Sequence, residues 1–142
     1  MKKLVSIISV ILLSLSFYHA SAQSDDLVNV CALGIGNATY LKDFKVKLPA
    51  SVANAPSTKF NVILNKGTLY KFTVCNAEGY EGKAVIKLTE GPNVLGTNLK
   101  PDGSFQDAVG FQCNKTGMYI LTCGFKGGKE GAAVVIMSYM NK

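Results

Sequence analysis

Apolar and polar residues alternate with a period of two over most of the chain. In Phe44-Lys45-Val46-Lys47-Leu48 the lysines separate the apolar residues, and the same alternation recurs at 60–64, 70–74 and 84–88. Such alternation places one face of a strand in a core and the other face in water. Glycine and asparagine interrupt the pattern at the short intervals typical of a sandwich or barrel. The pattern predicts strands almost throughout and no helix beyond a single turn at 50–55.

The last predicted strand, 132–140, has a different pattern. It opens with the apolar run Ala132-Ala133-Val134-Val135-Ile136-Met137, in which no polar residue alternates. A strand of this composition is buried on both faces, so we expect it at the centre of a sheet or under another chain. Together with the alternating segments it predicts an all-β fold, an antiparallel β-sandwich of jelly-roll-like type with about eight strands.

Residues 1–22 have the pattern of a secretory signal peptide. Lys2 and Lys3 precede the apolar run 4–17, and the small residues 20–22 favour cleavage before Gln23. The run is shorter than the roughly 20 apolar residues that cross a bilayer, so no transmembrane segment is expected after processing. Residues 23–142 then form a single exported domain, periplasmic or extracellular, with association to the outer membrane as a further option.

Composition excludes several classes of function. The one histidine, His19, leaves with the predicted signal peptide, and every one of the basic residues is a lysine. Without histidine the common nucleophile–base pairs and imidazole metal sites cannot form, so we predict that the protein is not an enzyme. The lysines are spread singly, and arginine, which recognises phosphate and guanine through two parallel hydrogen bonds, is absent. A nucleic-acid partner is therefore not expected.

Four cysteines remain in an exported chain, where disulfides persist. Cys75 is out of phase with the core positions of its strand and should point away from the core. If 105–113 and 118–124 form a tight hairpin, Cys113 and Cys123 lie roughly 16 Å apart and cannot bond. If the two runs belong to facing sheets, that restriction weakens. We predict the pairs Cys75–Cys123 and Cys31–Cys113, with buried free thiols as the alternative.

Four segments of the chain resemble a known family. They are 66–74 (KGTLYKFTV), 84–88 (AVIKL), 93–96 (NVLG) and 116–121 (TGMYIL). Their order is similar to that of the bacterial pre-peptidase C-terminal domain and related jelly-roll modules, over roughly residues 58–140 of this chain. The resemblance implies a β-sandwich that serves as an accessory or substrate-binding module, and some related jelly rolls bind calcium. Here the module would stand alone, without a peptidase.

The candidate ligand-binding residues lie in the predicted loops, because loops carry recognition more often than strands do. They are Tyr80, Asn93, Asp102 and Lys126, in the loops 76–82, 90–104 and 124–131. Tyr80 is the tyrosine that we expect to be free to stack on a sugar, with packing as an anchor of its own loop as the alternative. Glu90, Asp102 and Asp107 are calcium candidates, since calcium needs six to eight hard oxygen ligands. No D-x-D-x-D spacing accompanies them, so the alternative is that they are solvated turn residues. No cofactor other than calcium is expected.

Two functions follow from these observations. The first is an exported, non-catalytic binding module that presents its loops to a polysaccharide or a protein partner of the bacterial envelope. The second is a structural or assembly subunit of an envelope complex, whose apolar last strand completes a partner's β-sheet by strand addition.

Overall fold

Eight strands, one α-helix and one 3-10 helix (Lys126–Gly128) are found in the computed structural model, which describes residues 19–51 and 53–141. The predicted signal peptide lies outside this range except for its last four residues. The elements are α1 (His19–Leu33), β1 (Ala38–Leu48), β2 (Ser57–Leu64), β3 (Leu69–Asn76), β4 (Ala84–Glu90), β5 (Asn93–Thr97), β6 (Ala108–Gln112), β7 (Gly117–Phe125) and β8 (Gly131–Met140). Within the described residues, no helix is both long and apolar enough to cross a membrane.

The strands form two antiparallel sheets of four strands each. Sheet A has the order β1-β8-β3-β6 and sheet B the order β2-β7-β4-β5. The chain passes from one sheet to the other at every connection except the β4–β5 hairpin, which gives the double Greek-key order of a jelly roll. The predicted eight-stranded antiparallel sandwich is confirmed.

The loops meet at two opposite ends of the sandwich. The tip consists of the connections 49–56, 77–83, 98–107 and 126–130, which hydrogen-bond to one another, for example Ser51 N–H to the Gly128 carbonyl at 2.8 Å. The base consists of the connections 65–68, 91–92 and 113–116, where Lys66 N–H donates to Thr116 Oγ1 at 2.8 Å. The predicted loops 76–82 and 124–131 therefore meet at one end, whereas the loop 90–104 spans both ends.

The core lies between the two sheets and follows the predicted alternation. On sheet A the inward side chains include Phe44, Phe72 and Val135, and on sheet B they include Leu64, Ile86, Leu88 and Leu121. Burial of such side chains contributes about 1.5–3 kcal/mol each. The alternating polar residues face outward. Periodicity alone was thus sufficient to place the sandwich core.

Helix α1 is the main departure from the predicted architecture. It lies on the outer face of sheet A, where Leu27, Val28, Cys31 and Ala32 pack with Ile35 against Val134 and Ile136 of β8. The prediction of strands without a helix is wrong in this segment. The signal was present, because Leu27 and Cys31 are spaced by four residues, which places them on one helix face.

Strand β8 is buried on both faces and lies at the centre of a sheet, as the sequence predicted. It pairs with β1 on one edge and with β3 on the other. Its inward residues Ala133 and Val135 belong to the sandwich core, and its outward residues Val134 and Ile136 lie under α1. Both edges of β8 are therefore occupied by the chain itself, and β8 offers no open edge to a partner's sheet.

The cysteines pair differently from the prediction. Cys31 of α1 and Cys75 of β3 form a disulfide with their Cα atoms 5.8 Å apart, and Cys113 and Cys123 are free and buried. The predicted pairs Cys75–Cys123 and Cys31–Cys113 are wrong. Cys113 and Cys123 lie in the core between facing sheets, whereas Cys75 points to the outer face of sheet A, as its phase predicted. The missing element was the helix that brings Cys31 to that face.

Candidate functional site

A cleft separates α1 from the β3–β4 loop on the outer face of sheet A, near the tip. It consists of two hollows of about 170 Å³ and 450 Å³, which share Leu27, Ala77 and Tyr80. The first hollow is floored by β1 and β8, and the second is bordered by Cys75, Glu78 and Val30. We call this feature the Tyr80 cleft. Its lining is mainly apolar with charged groups at the margin, which is the usual composition of a ligand site.

The loop that carries Tyr80 is held in place by backbone hydrogen bonds. Ala77 N–H donates to the Ala132 carbonyl and Gly82 N–H to the Glu130 carbonyl, each at 2.8 Å. Asn76 Oδ1 accepts a hydrogen bond from Ala84 N–H at 2.8 Å and so closes the loop at its neck. Gly82 has to be glycine, because a Cβ there would lie 2.5 Å from the Glu130 oxygen. The tyrosine is therefore presented from a fixed backbone.

Two lysines of β1 lie beside Tyr80. Lys47 Nζ lies 5.9 Å from the centroid of the Tyr80 ring, a cation–π distance. Lys45 forms an ion pair with Asp25 of α1, which holds the helix at the margin of the cleft. The hydrogen bond that Lys45 donates to Asp25 raises the pKa of Lys45. The cleft thus combines an aromatic ring with two cations.

The predicted tip residues Asp102 and Lys126 come close to each other, but their groups are used within the loop. Asp102 accepts hydrogen bonds from Ser104 N–H at 2.9 Å and from Ser104 Oγ at 2.6 Å, and these bonds lower the pKa of Asp102. Lys126 donates to the Gly103 carbonyl at 3.3 Å and lies 5.6 Å from the Phe105 ring centroid. Both side chains therefore stabilise the hairpin around residues 99–105.

The remaining predicted ligands lie elsewhere. Asn93 begins β5 at the base, opposite Glu90 and far along the strands from the Tyr80 cleft. Glu90 pairs with Lys115 at 3.3 Å, whereas Asp102 and Asp107 lie in the 98–107 connection at the tip. The three calcium candidates therefore do not form one site. Over the described residues, no group of three or more histidine, cysteine or carboxylate side chains is placed to hold a metal ion.

The two free thiols are placed for packing rather than for chemistry. Burial raises the pKa of the Cys123 thiol to about 12. Cys113 Sγ lies 3.2 Å from the Lys115 carbonyl and 3.7 Å from the Tyr119 hydroxyl. That contact, together with burial, raises the pKa of Tyr119 to about 12. A reactive cysteine needs a lowered pKa that favours the thiolate at neutral pH, whereas the pKa of Cys123 is raised.

The structure brings to Tyr80 several residues that the sequence analysis did not connect with it. Lys45, Lys47 and Leu27 border the cleft, and only Tyr80 had been predicted. The alternation in β1 predicts that Lys45 and Lys47 point away from the core, but it does not show which element packs over that face of the strand. Recognition of α1 from the spacing of Leu27 and Cys31 would have indicated the cleft.

No protein-family model matches the chain, and no curated protein matches it significantly. The cleft geometry is therefore the basis for a functional proposal.

Proposed function

We propose that this chain is an exported, non-catalytic binding module of the bacterial envelope that recognises a polysaccharide through the Tyr80 cleft. The proposal depends on one observation, the half-buried Tyr80 ring in a cleft with Lys47 5.9 Å from its centroid. A tyrosine face can stack on the apolar face of a sugar ring. A lysine beside it favours a sugar that carries a carboxylate or sulfate.

The surroundings of Tyr80 support recognition rather than bond cleavage. The carboxylates around the cleft are all solvent-exposed. Asp26 and Glu78 line it, Asp25 pairs with Lys45, and Glu81 pairs with Lys129 at 3.5 Å. A glycosidase needs two carboxyl groups on opposite sides of the scissile bond, one of them protonated. A solvent-exposed carboxylate is not suited to the protonated role, because burial is what raises its pKa. The resemblance to accessory jelly-roll modules points to the same class of function.

Affinity electrophoresis tests the proposal with immobilised uronic-acid polysaccharides and a neutral glucan. Retardation by the acidic polymer is expected, and Tyr80→Ala should weaken it at least about tenfold because stacking and packing are both lost. Tyr80→Phe keeps the ring and should retain most of the affinity. Lys47→Gln should selectively weaken binding of the acidic polymer.

Matched controls are available at the same end of the molecule. Lys126→Gln and Lys100→Gln remove tip lysines outside the cleft and should leave retardation unchanged. If Tyr80→Ala binds as tightly as the parent, or if the control variants lose as much affinity as Lys47→Gln, the cleft is not the binding site.

A further inference from the structure

The outer face of sheet B contrasts with that of sheet A, which α1 covers. Apolar side chains stand out from it near the base, with Ile63 73 %, Met118 63 % and Val94 56 % exposed. Ile63 and Met118 are cross-strand partners on β2 and β7. Exposed apolar side chains that are scattered singly are ordinary, but a contiguous set marks an interaction surface.

The exposed side chains form a continuous arc. Ile120 follows Met118 on the same face of β7 and lies opposite Thr89, which in turn lies opposite Val94. On the other side, Ile63 and Leu41 line one groove between the edges of the two sheets. We call Leu41, Ile63, Met118 and Val94 the apolar arc. It extends from the edge of sheet A across the base half of sheet B.

Lysines predominate among the charged residues around the apolar arc. Lys59 and Lys87 lie in the same row of sheet B, each opposite Thr122, and Lys66 lies in the adjacent base turn. The four strands of sheet B contain one acidic residue, Glu90, and it pairs with Lys115. Most of the other carboxylates of the chain lie in α1 or in the tip connections. The arc therefore combines apolar side chains with uncompensated positive charge.

We propose that the apolar arc docks the protein on an anionic lipid surface. The apolar side chains of the arc can enter the headgroup region, while the lysines contact acidic headgroups. A second copy packed face to face would bring Lys59 and Lys87 of both chains together with no free carboxylate between them. Docking through the arc would leave the Tyr80 cleft, at the tip and on the opposite sheet, directed away from the membrane.

Vesicle co-sedimentation of the purified full-length protein tests this proposal. Vesicles of equal parts phosphatidylcholine and phosphatidylglycerol should bind the protein at low salt, and vesicles of phosphatidylcholine alone should bind it much less. The double variant Ile63→Ser/Met118→Ser should bind at least about tenfold more weakly, because insertion of both side chains is lost. Lys59→Gln/Lys87→Gln should lose roughly fivefold per lysine.

Leu33→Ser is the matched control, because Leu33 is an exposed apolar residue of α1, on the sheet A side of the molecule and not among the residues that line the Tyr80 cleft. It should bind like the parent, and circular dichroism should show the same fold for all variants. Absence of binding to anionic vesicles, or equal binding by the parent and the arc double variant, would overturn the proposal. A stable dimer in sedimentation velocity that the same double variant dissociates would assign the arc to a second copy and overturn it too. Glycan retardation is independent of these outcomes, so the two proposals can fail separately.

Discussion

Cys31 of α1 and Cys75 of β3 are joined across the outer face of sheet A, at a sequence separation of 44. The disulfide fixes the helix to the sheet at the border of the Tyr80 cleft, which Cys75 helps to line. Helix α1 also packs on a small apolar cluster and forms the ion pair of Asp25 with Lys45. The bridge is therefore the strongest constraint on the position of the helix.

Replacement of both cysteines should destabilise the protein. For Cys31→Ser/Cys75→Ser we expect the free energy of unfolding to fall by about 2–4 kcal/mol, because a long loop in the unfolded chain is no longer closed. Urea unfolding followed by circular dichroism measures the change. Reductant should weaken the parent to a similar extent and leave the double variant unchanged. Equal urea midpoints for parent and variant would contradict this expectation.

Asn98 should be the most sensitive polar residue of the fold. Its side chain is 2 % exposed, its Oδ1 accepts from Ile86 N–H at 2.8 Å, and its Nδ2 donates to the Ala84 carbonyl at 2.9 Å. Asn98→Ala leaves both backbone groups of β4 without a partner, which should cost about 2–4 kcal/mol of unfolding free energy. The exposed Asn61→Ala should change it by less than about 0.5 kcal/mol. Similar losses in both variants would argue against the role of Asn98.

Two buried hydroxyl groups on the outer face of sheet A should respond oppositely to removal. Thr73 Oγ1 is buried without a hydrogen-bond partner, whereas Ser138 Oγ donates to the Lys71 carbonyl at 3.1 Å. Thr73→Val should stabilise the protein by about 1 kcal/mol, since an unsatisfied hydroxyl is costly to bury. Ser138→Ala should destabilise it by about 1 kcal/mol. Thermal unfolding of both variants measures the contrast, and a loss of stability in Thr73→Val would refute it.

Stability should fall in alkaline solution. The pKa of Cys123 is raised to about 12 in the folded chain, whereas a free thiol in an unfolded chain has a pKa near 8.5. The folded state therefore keeps a proton that the unfolded state releases, so stability is intact below about pH 8.5 and declines toward pH 12. The slope from this thiol approaches about 1.4 kcal/mol per pH unit.

Cys123→Ala isolates the contribution of this thiol. Urea midpoints measured from neutral to alkaline pH should decline less steeply in Cys123→Ala than in the parent. In the folded parent at pH 9, iodoacetamide should modify Cys123 only as fast as the protein unfolds. Rapid modification under those conditions would show that the thiol is accessible and ionised.

The sandwich was predictable because its strands have one buried face and one solvent-exposed face. Phe72 and Val74 alternate with polar residues on β3, and such a pattern has a single solution as a strand. The last strand was predictable for a different reason, since an unbroken apolar run requires cover on both faces. Sheet order and strand pairing depend on contacts between distant segments, and periodicity does not encode them.

The helix and the site were harder to predict. Helix α1 begins within the stretch that has the pattern of a signal peptide, and its amphipathic face at Leu27 and Cys31 is too short to give a clear helical period. The disulfide followed from the helix, and the phase of Cys75 indicated only that its partner lay outside the sandwich core. Tyr80 was identified because it lies outside any strand. The neighbours of Tyr80 depend on packing between α1 and the β3–β4 loop.

The position of β8 determines when the protein can complete its fold. The strand nearest the carboxyl terminus lies between β1 and β3 and supplies the pairing for both. Sheet A reaches its four-strand order only when β8 is in place, since β8 separates β1 from β3. A chain shortened before β8 would leave β1 without the strand it pairs with in sheet A.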